Sequence, residues 1–116
     1  MKNIFISKST KIIDAMKLLT ETRLHCLIVT NKKRYFFGTL NDGDIRRGIL
    51  KGMSYKETIK SLYQRKPTVI YEKEFSINLA KNLMRKKILP ILPVLNNKNV
   101  VINFLSWEKV FGEKKN

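Results

Sequence analysis

Two stretches of this chain carry one apolar pattern at a fixed separation. Ile12, Ala15, Leu18 and Leu19 are followed 65 residues later by Ile77, Ala80, Leu83 and Met84. In both sets the spacing gathers the apolar side chains on one helix face. A short apolar run precedes each, Ile4-Phe5-Ile6 and Val69-Ile70-Tyr71, and Leu92 to Leu95 answers Cys26 to Val29 at an offset of 66. One spacing sustained over strand, helix and strand marks a tandem duplication. Each copy is too small to bury its own sheet, so the two are expected to pack sheet against sheet with pseudo-two-fold symmetry. Two equivalent clefts would then lie between them, at strand ends facing helix N-termini, a setting suited to a phosphorylated ligand.

Each copy reads as β-α-β-β-α. The first has a strand within Asn3 to Ser7, an N-cap offered by Lys8-Ser9-Thr10 and a helix ending near Thr22 or Arg23. Cys26 to Thr30 and Tyr35 to Leu40 form a hairpin about Asn31-Lys32-Lys33. After Gly52, Ser54 is placed to cap a connecting helix over Tyr55 to Tyr63, stopped before Pro67. In the second copy Ser76 introduces the long helix, Val100 to Leu105 is the last strand, and Ser106 caps a closing helix over Trp107 to Phe111. The fold class expected is α+β (α/β), with the first repeat and connecting helix over 1–63 and the second over 64–116. The final Gly112-Glu113-Lys114-Lys115-Asn116 reads as the start of a linker to a further domain.

Phe37-Gly38-Thr39-Leu40-Asn41-Asp42-Gly43-Asp44-Ile45-Arg46-Arg47-Gly48 is the stretch richest in chemistry, and it reads as strand, tight turn, helix. Asn41 or Asp42 is placed to cap that helix. The Asp44 carboxylate either steadies the helix N-terminus or points outward to accept two hydroxyl hydrogen bonds, as a ribose diol offers. Arg46 and Arg47 follow it.

Composition narrows the function. With 24 Lys and Arg against 9 Asp and Glu, the formal charge is +15, which favours association with polyanions: nucleic acid, nucleotide phosphates or an acidic partner. The cations are scattered, and no basic helix or aromatic-basic sheet motif accompanies them, so net charge alone speaks for nucleic acid. One His and one Cys, with no His-x-x-x-His, Cys-x-x-Cys or Gly-x-x-x-x-Gly-Lys pattern, provide neither a catalytic nor a metal-binding constellation. His25, on an apolar run, reads as a packed or ligand-lining histidine, and Cys26 as a small buried hydrophobe. No apolar run reaches the length of a membrane span and no signal-peptide core is present, so a cytoplasmic location is expected.

The duplicated β-α-β-β-α pattern resembles the CBS-domain pair, or Bateman module. Gly38, Asn41 and Asp44 carry its Gly-x-x-(Thr/Ser/Asn)-x-x-Asp motif, and Ile91-Leu92-Pro93-Val94 its apolar second strand. Residues 38–48 are further similar to the form found where such a pair precedes a sugar-phosphate nucleotidyltransferase domain. The resemblance implies a non-catalytic regulatory module, needing no cofactor, that binds AMP, ADP or ATP and modulates an attached or partner enzyme domain. It implies that Asp44 accepts the ribose hydroxyls beside Asn41, with Gly38 and Thr39 close by. Adenine would lie near His25 and Leu27 with Ile6 and Ser7 at its edge, and phosphate would meet Arg46, Arg47 or a lysine across the cleft. In the second copy Ile102, Leu105 and Glu108 align with Gly38, Asn41 and Asp44, so the cleft of Glu108, Tyr71, Pro90, Ile91 and Pro93 is expected to be weak or empty. The family also implies a homodimer. Two alternatives stay open: a ligand-free dimerisation scaffold and a basic nucleic-acid-binding protein.

Overall fold

A computed structural model describes residues 3–112; the expected linker residues Glu113 to Asn116 lie outside them. The chain divides into two compact units, the first ending at Pro67 and the second starting at Thr68, four residues beyond the boundary drawn from the sequence.

The first unit runs β1 (Phe5–Ile6), α1 (Ile12–Thr22), β2 (Cys26–Thr30), β3 (Phe36–Asn41) and α2 (Asp42–Leu50). Its sheet has the order β1-β2-β3, with β1 parallel and β3 antiparallel to β2. All five β2 residues are buried, and with them Ile4, Ile12, Ala15, Leu19, Leu40 and Ile45. The Asn41–Asp44 segment departs from expectation. No turn separates β3 from α2: the strand continues through Gly38 to Asn41, and the helix begins at the next residue.

Two further expectations are corrected. The N-cap of α1 is Lys11, which makes no side-chain cap bond. Instead the Ile12 and Ile13 amides donate to the carbonyls of Glu57 and Tyr55, and Ile59 donates to the Thr10 carbonyl. Those bonds occupy backbone groups that the expected helix over Tyr55 to Tyr63 would need, and only a 3-10 turn, Ile59–Ser61, forms there.

The second unit repeats the plan: β4 (Ile70–Tyr71), α3 (Ile77–Lys87), β5 (Ile91–Leu95), β6 (Val101–Ser106) and α4 (Trp107–Phe111). Its sheet order is β4-β5-β6. Ile70, Ala80, Met84, Leu92 and Val94 form the buried cluster, with Leu83, Leu105, Trp107 and Phe111 packed against it. Ser76 and Ser106 cap α3 and α4, accepting the amides of Leu79 and Lys109, as their positions before apolar helical runs predict.

Every strand and α-helix of the second unit starts 65 residues after its counterpart. The 66 read for the second strand is therefore corrected: Ile91, not Leu92, answers Cys26. Backbone geometry repeats as well. Arg23 and Ile88, which end α1 and α3, are both left-handed, and so are the hairpin residues Arg34 and Asn99. One difference has a chemical cause. Ile28 donates its amide to the Ile4 carbonyl, whereas its counterpart Pro93 has no N–H to donate. Phe5 accordingly pairs with Ile28, but Ile70 pairs with Val94, one residue further along.

Candidate functional site

The direct passage from β3 into α2 decides what Asp44 does. Asn41 is the N-cap, its Oδ1 accepting the Asp44 amide at 2.9 Å, while Asp44 Oδ2 accepts the Asn41 amide at 2.9 Å. This is a capping box, with both residues at the positive end of a nine-residue helix. The other carboxylate oxygen, Oδ1, accepts Arg47 Nη2 and Gln64 Nε2, each at 2.7 Å. The Asp44 side chain is 1% exposed, whereas that of Arg47 is 60% exposed. Of the two readings left open for Asp44, the structure shows the helix-steadying one, with the carboxylate already holding three donors.

Gln64 was missed in the sequence, where it reads only as part of a helix stop. Its backbone pairs with β3: the Gln64 amide donates to the Thr39 carbonyl at 2.7 Å and the Thr39 amide to the Gln64 carbonyl at 3.0 Å. Gly38 permits this approach, because a Cβ there would run into the Gln64 carbonyl oxygen and the Tyr63 ring. Thus Gly38, Thr39 and Asp44 all meet the connector at one residue, and the only sequence signal was a polar amide between Tyr63 and Arg65.

The other expected site residues do not all gather here. His25, exposed and left-handed, places Nδ1 3.4 Å from the Asp42 carboxylate, at the same end of the sheet as Asn41. Leu27 is fully buried. Ile6 pairs with Val29, so Ile6 and Ser7 lie at the opposite end, by Thr30. There they line an open groove of about 520 Å³ with Thr10, Lys32 and Arg34. Arg46 lines a second groove of about 400 Å³ with Met16, Ile45, Ile49, Leu50 and Tyr55.

In the second unit the constant offset moves the expected positions by one. Asn103, Ser106 and Lys109 stand where Gly38, Asn41 and Asp44 stand in the first, and the earlier alignment of Ile102, Leu105 and Glu108 is corrected. Ser106 keeps the capping role of Asn41, but a lysine replaces the reciprocal carboxylate. Glu108 and Tyr71 are exposed, Pro90 is half-buried, and Ile91 and Pro93 are buried in β5. Burial lifts the Cys26 thiol to about 12, helped by the nearby Asp44 and Asp42 charges and opposed by hydrogen bonding with Thr39. Among the described residues no cluster of His, Cys, Asp or Glu is arranged to hold a metal ion, and no helix is long and apolar enough to cross a membrane.

Residues 1–51 match the family model of the CBS domain. Over 100 residues, 86% of this chain and 30% of the relative, the sequence is 29% identical to an uncharacterised protein of Helicobacter pylori. The chain thus spans about three-tenths of the length of the curated relatives it matches. The fold matches a CBS-pair protein from Arabidopsis thaliana with a TM-score of 0.78 at 21% identity, over 96% of this chain and 84% of that one. It also matches a CBS domain protein from Pyrobaculum aerophilum complexed with AMP, with a TM-score of 0.77 at 16% identity, over 98% and 87% of the two chains. The chain has the fold of a CBS-domain pair.

Proposed function

We propose that this chain is a non-catalytic regulatory segment of a longer cytoplasmic protein, and that it binds an adenosine nucleotide of the AMP, ADP or ATP class at Asp44. The observation that carries this reading is the Asp44 carboxylate at the N-terminus of α2, held there with Asn41 and Arg47. The AMP bound by the Pyrobaculum protein of the same fold supports it. Ribose hydroxyls would be accepted by Asp44, and the exposed Arg47 guanidinium would serve phosphate. Occupancy would modulate an attached or partner enzyme domain, a sugar-phosphate nucleotidyltransferase by the resemblance of residues 38–48. The test is thermal unfolding with AMP, ADP, ATP and a non-adenine nucleotide. Ligand at about 100 times its dissociation constant adds about 2.7 kcal/mol when it binds only the folded state. A stabilisation by an adenosine compound that is lost in Asp44→Asn supports the reading, and no stabilisation at saturating concentration overturns it.

A second reading, a homodimer, is favoured by the groove of Met16, Ile45, Ile49, Leu50 and Tyr55 on α1 and α2. Leu50 is 79% exposed and Tyr55 55%, an apolar surface that a second copy would cover. Sedimentation of the wild type against Leu50→Asp tests it: a dimer converted to monomer supports it, and a monomeric wild type overturns it.

A further inference from the structure

Asp44 divides into a fixed half and an exchangeable half. Oδ2 belongs to the capping box and accepts the Asn41 amide at 2.9 Å. Among the described residues, Oδ1 is served only by side chains whose residues are exposed, Arg47 and Gln64, each at 2.7 Å. Either side chain is able to swing into water while its backbone stays in place. For Gln64 the backbone is pinned independently of the amide group by two hydrogen bonds with Thr39. The connector therefore delivers a neutral N–H donor to Asp44 whenever β3 is formed. The carboxylate is 1% exposed with these donors in place, so a ligand hydroxyl reaches Oδ1 only by replacing them.

We propose that the Gln64 side chain is a built-in occupant of the ribose-hydroxyl position on Asp44, displaced when a nucleotide binds, and that this exchange selects a ligand with a vicinal diol. The inference rests on the nucleotide reading above. Two side-chain donors leave Oδ1, and a diol brings two hydroxyl donors in return. A 2′-deoxy sugar brings one, and a buried carboxylate oxygen left short of a donor bears a desolvation cost. Gln64 thereby sets both affinity and sugar selectivity without being required for the fold.

Calorimetric titration of the wild type and Gln64→Ala with AMP, ADP, ATP and 2′-deoxy-AMP tests the proposal. Hydrogen bonds to charged groups are worth enough that freeing Asp44 from Gln64 is expected to tighten AMP binding about tenfold or more. In the wild type, 2′-deoxy-AMP is expected to bind about tenfold or more weaker than AMP. A second measurement needs no variant. On saturation with AMP, the Gln64 side-chain NH2 signal in a 15N–1H spectrum should move toward its solvated position while the Gln64 backbone amide stays protected. Equal AMP affinity of the two proteins, with the side-chain signal unmoved, overturns the exchange and leaves the nucleotide reading standing. No binding of any of the three ribonucleotides to either protein overturns both.

Discussion

Gln64 Nε2 lies 2.7 Å from Asp44 Oδ1, joining the connector to a helix N-terminus twenty residues earlier in the chain. Asp44 thus serves local structure and long-range structure with one carboxylate. Asp44→Ala removes the capping-box acceptor and both side-chain bonds, and is expected to cost about 2 kcal/mol in denaturant unfolding. Asp44→Asn keeps an oxygen for the Asn41 amide and should cost about half as much.

Gly38→Ala tests the approach of the connector. The added Cβ meets the Gln64 carbonyl and the Tyr63 ring, so the paired backbone must separate. A loss of about 1–3 kcal/mol is expected. Hydrogen exchange should show the Thr39 and Gln64 amides losing protection together, with the β2–β3 ladder affected less.

The helix starts separate by their chemistry. Ser76→Ala and Ser106→Ala each remove a side-chain cap and should each cost about 1 kcal/mol. Lys11→Ala should change stability little, because backbone carbonyls of Tyr55 and Glu57 take the first amides of α1. Thermal melts of the three variants give the comparison.

Ile88 holds φ at 53° and is 54% exposed, a conformation in which a β-branched residue is strained. Ile88→Gly relieves that strain, partly offset by the greater freedom of glycine in the unfolded chain. A net gain of about 0.5–1 kcal/mol in unfolding free energy is expected.

Cys26 gives the chain a pH signature. Its thiol is raised from 9.0 to about 12 in the folded state, chiefly by burial. The folded protein therefore holds the thiol proton more tightly, and the resulting stability is full below pH 9 and lost as pH rises toward 12. Relative to Cys26→Ala, the wild type should lose about 1.4 kcal/mol per pH unit across that window. A thiol reagent at pH 8 should label Cys26 only on unfolding.

The duplicated plan was legible because apolar periodicity is written into each helix, as Ile12, Ala15 and Leu19 or Ala80 and Met84 show. Ser76 and Ser106 announced their caps for the same local reason. The connecting helix failed because Tyr55 and Glu57 spend their carbonyls on α1, a tertiary use that periodicity does not report. The motif residues of the second copy were misplaced by one, since Leu105 and its apolar neighbours allow more than one alignment until strand pairing fixes it. The place of Ser7, expected at the edge of the adenine, was not legible either, because parallel pairing of β1 with β2 sets the register and carries Ser7 beyond Val29. Gln64 was invisible because its role depends on a backbone pairing with Thr39 that no local pattern signals.

The offset of 65 residues puts Lys109 on the backbone position of Asp44, third in a helix that follows a capping side chain in both halves. The same helix position thus carries opposite charge in the two halves, a carboxylate in one and an ammonium in the other. A group that satisfies the first cannot satisfy the second. The twin halves are therefore not spare copies of one another, and damage at Asp44 has no understudy at Lys109.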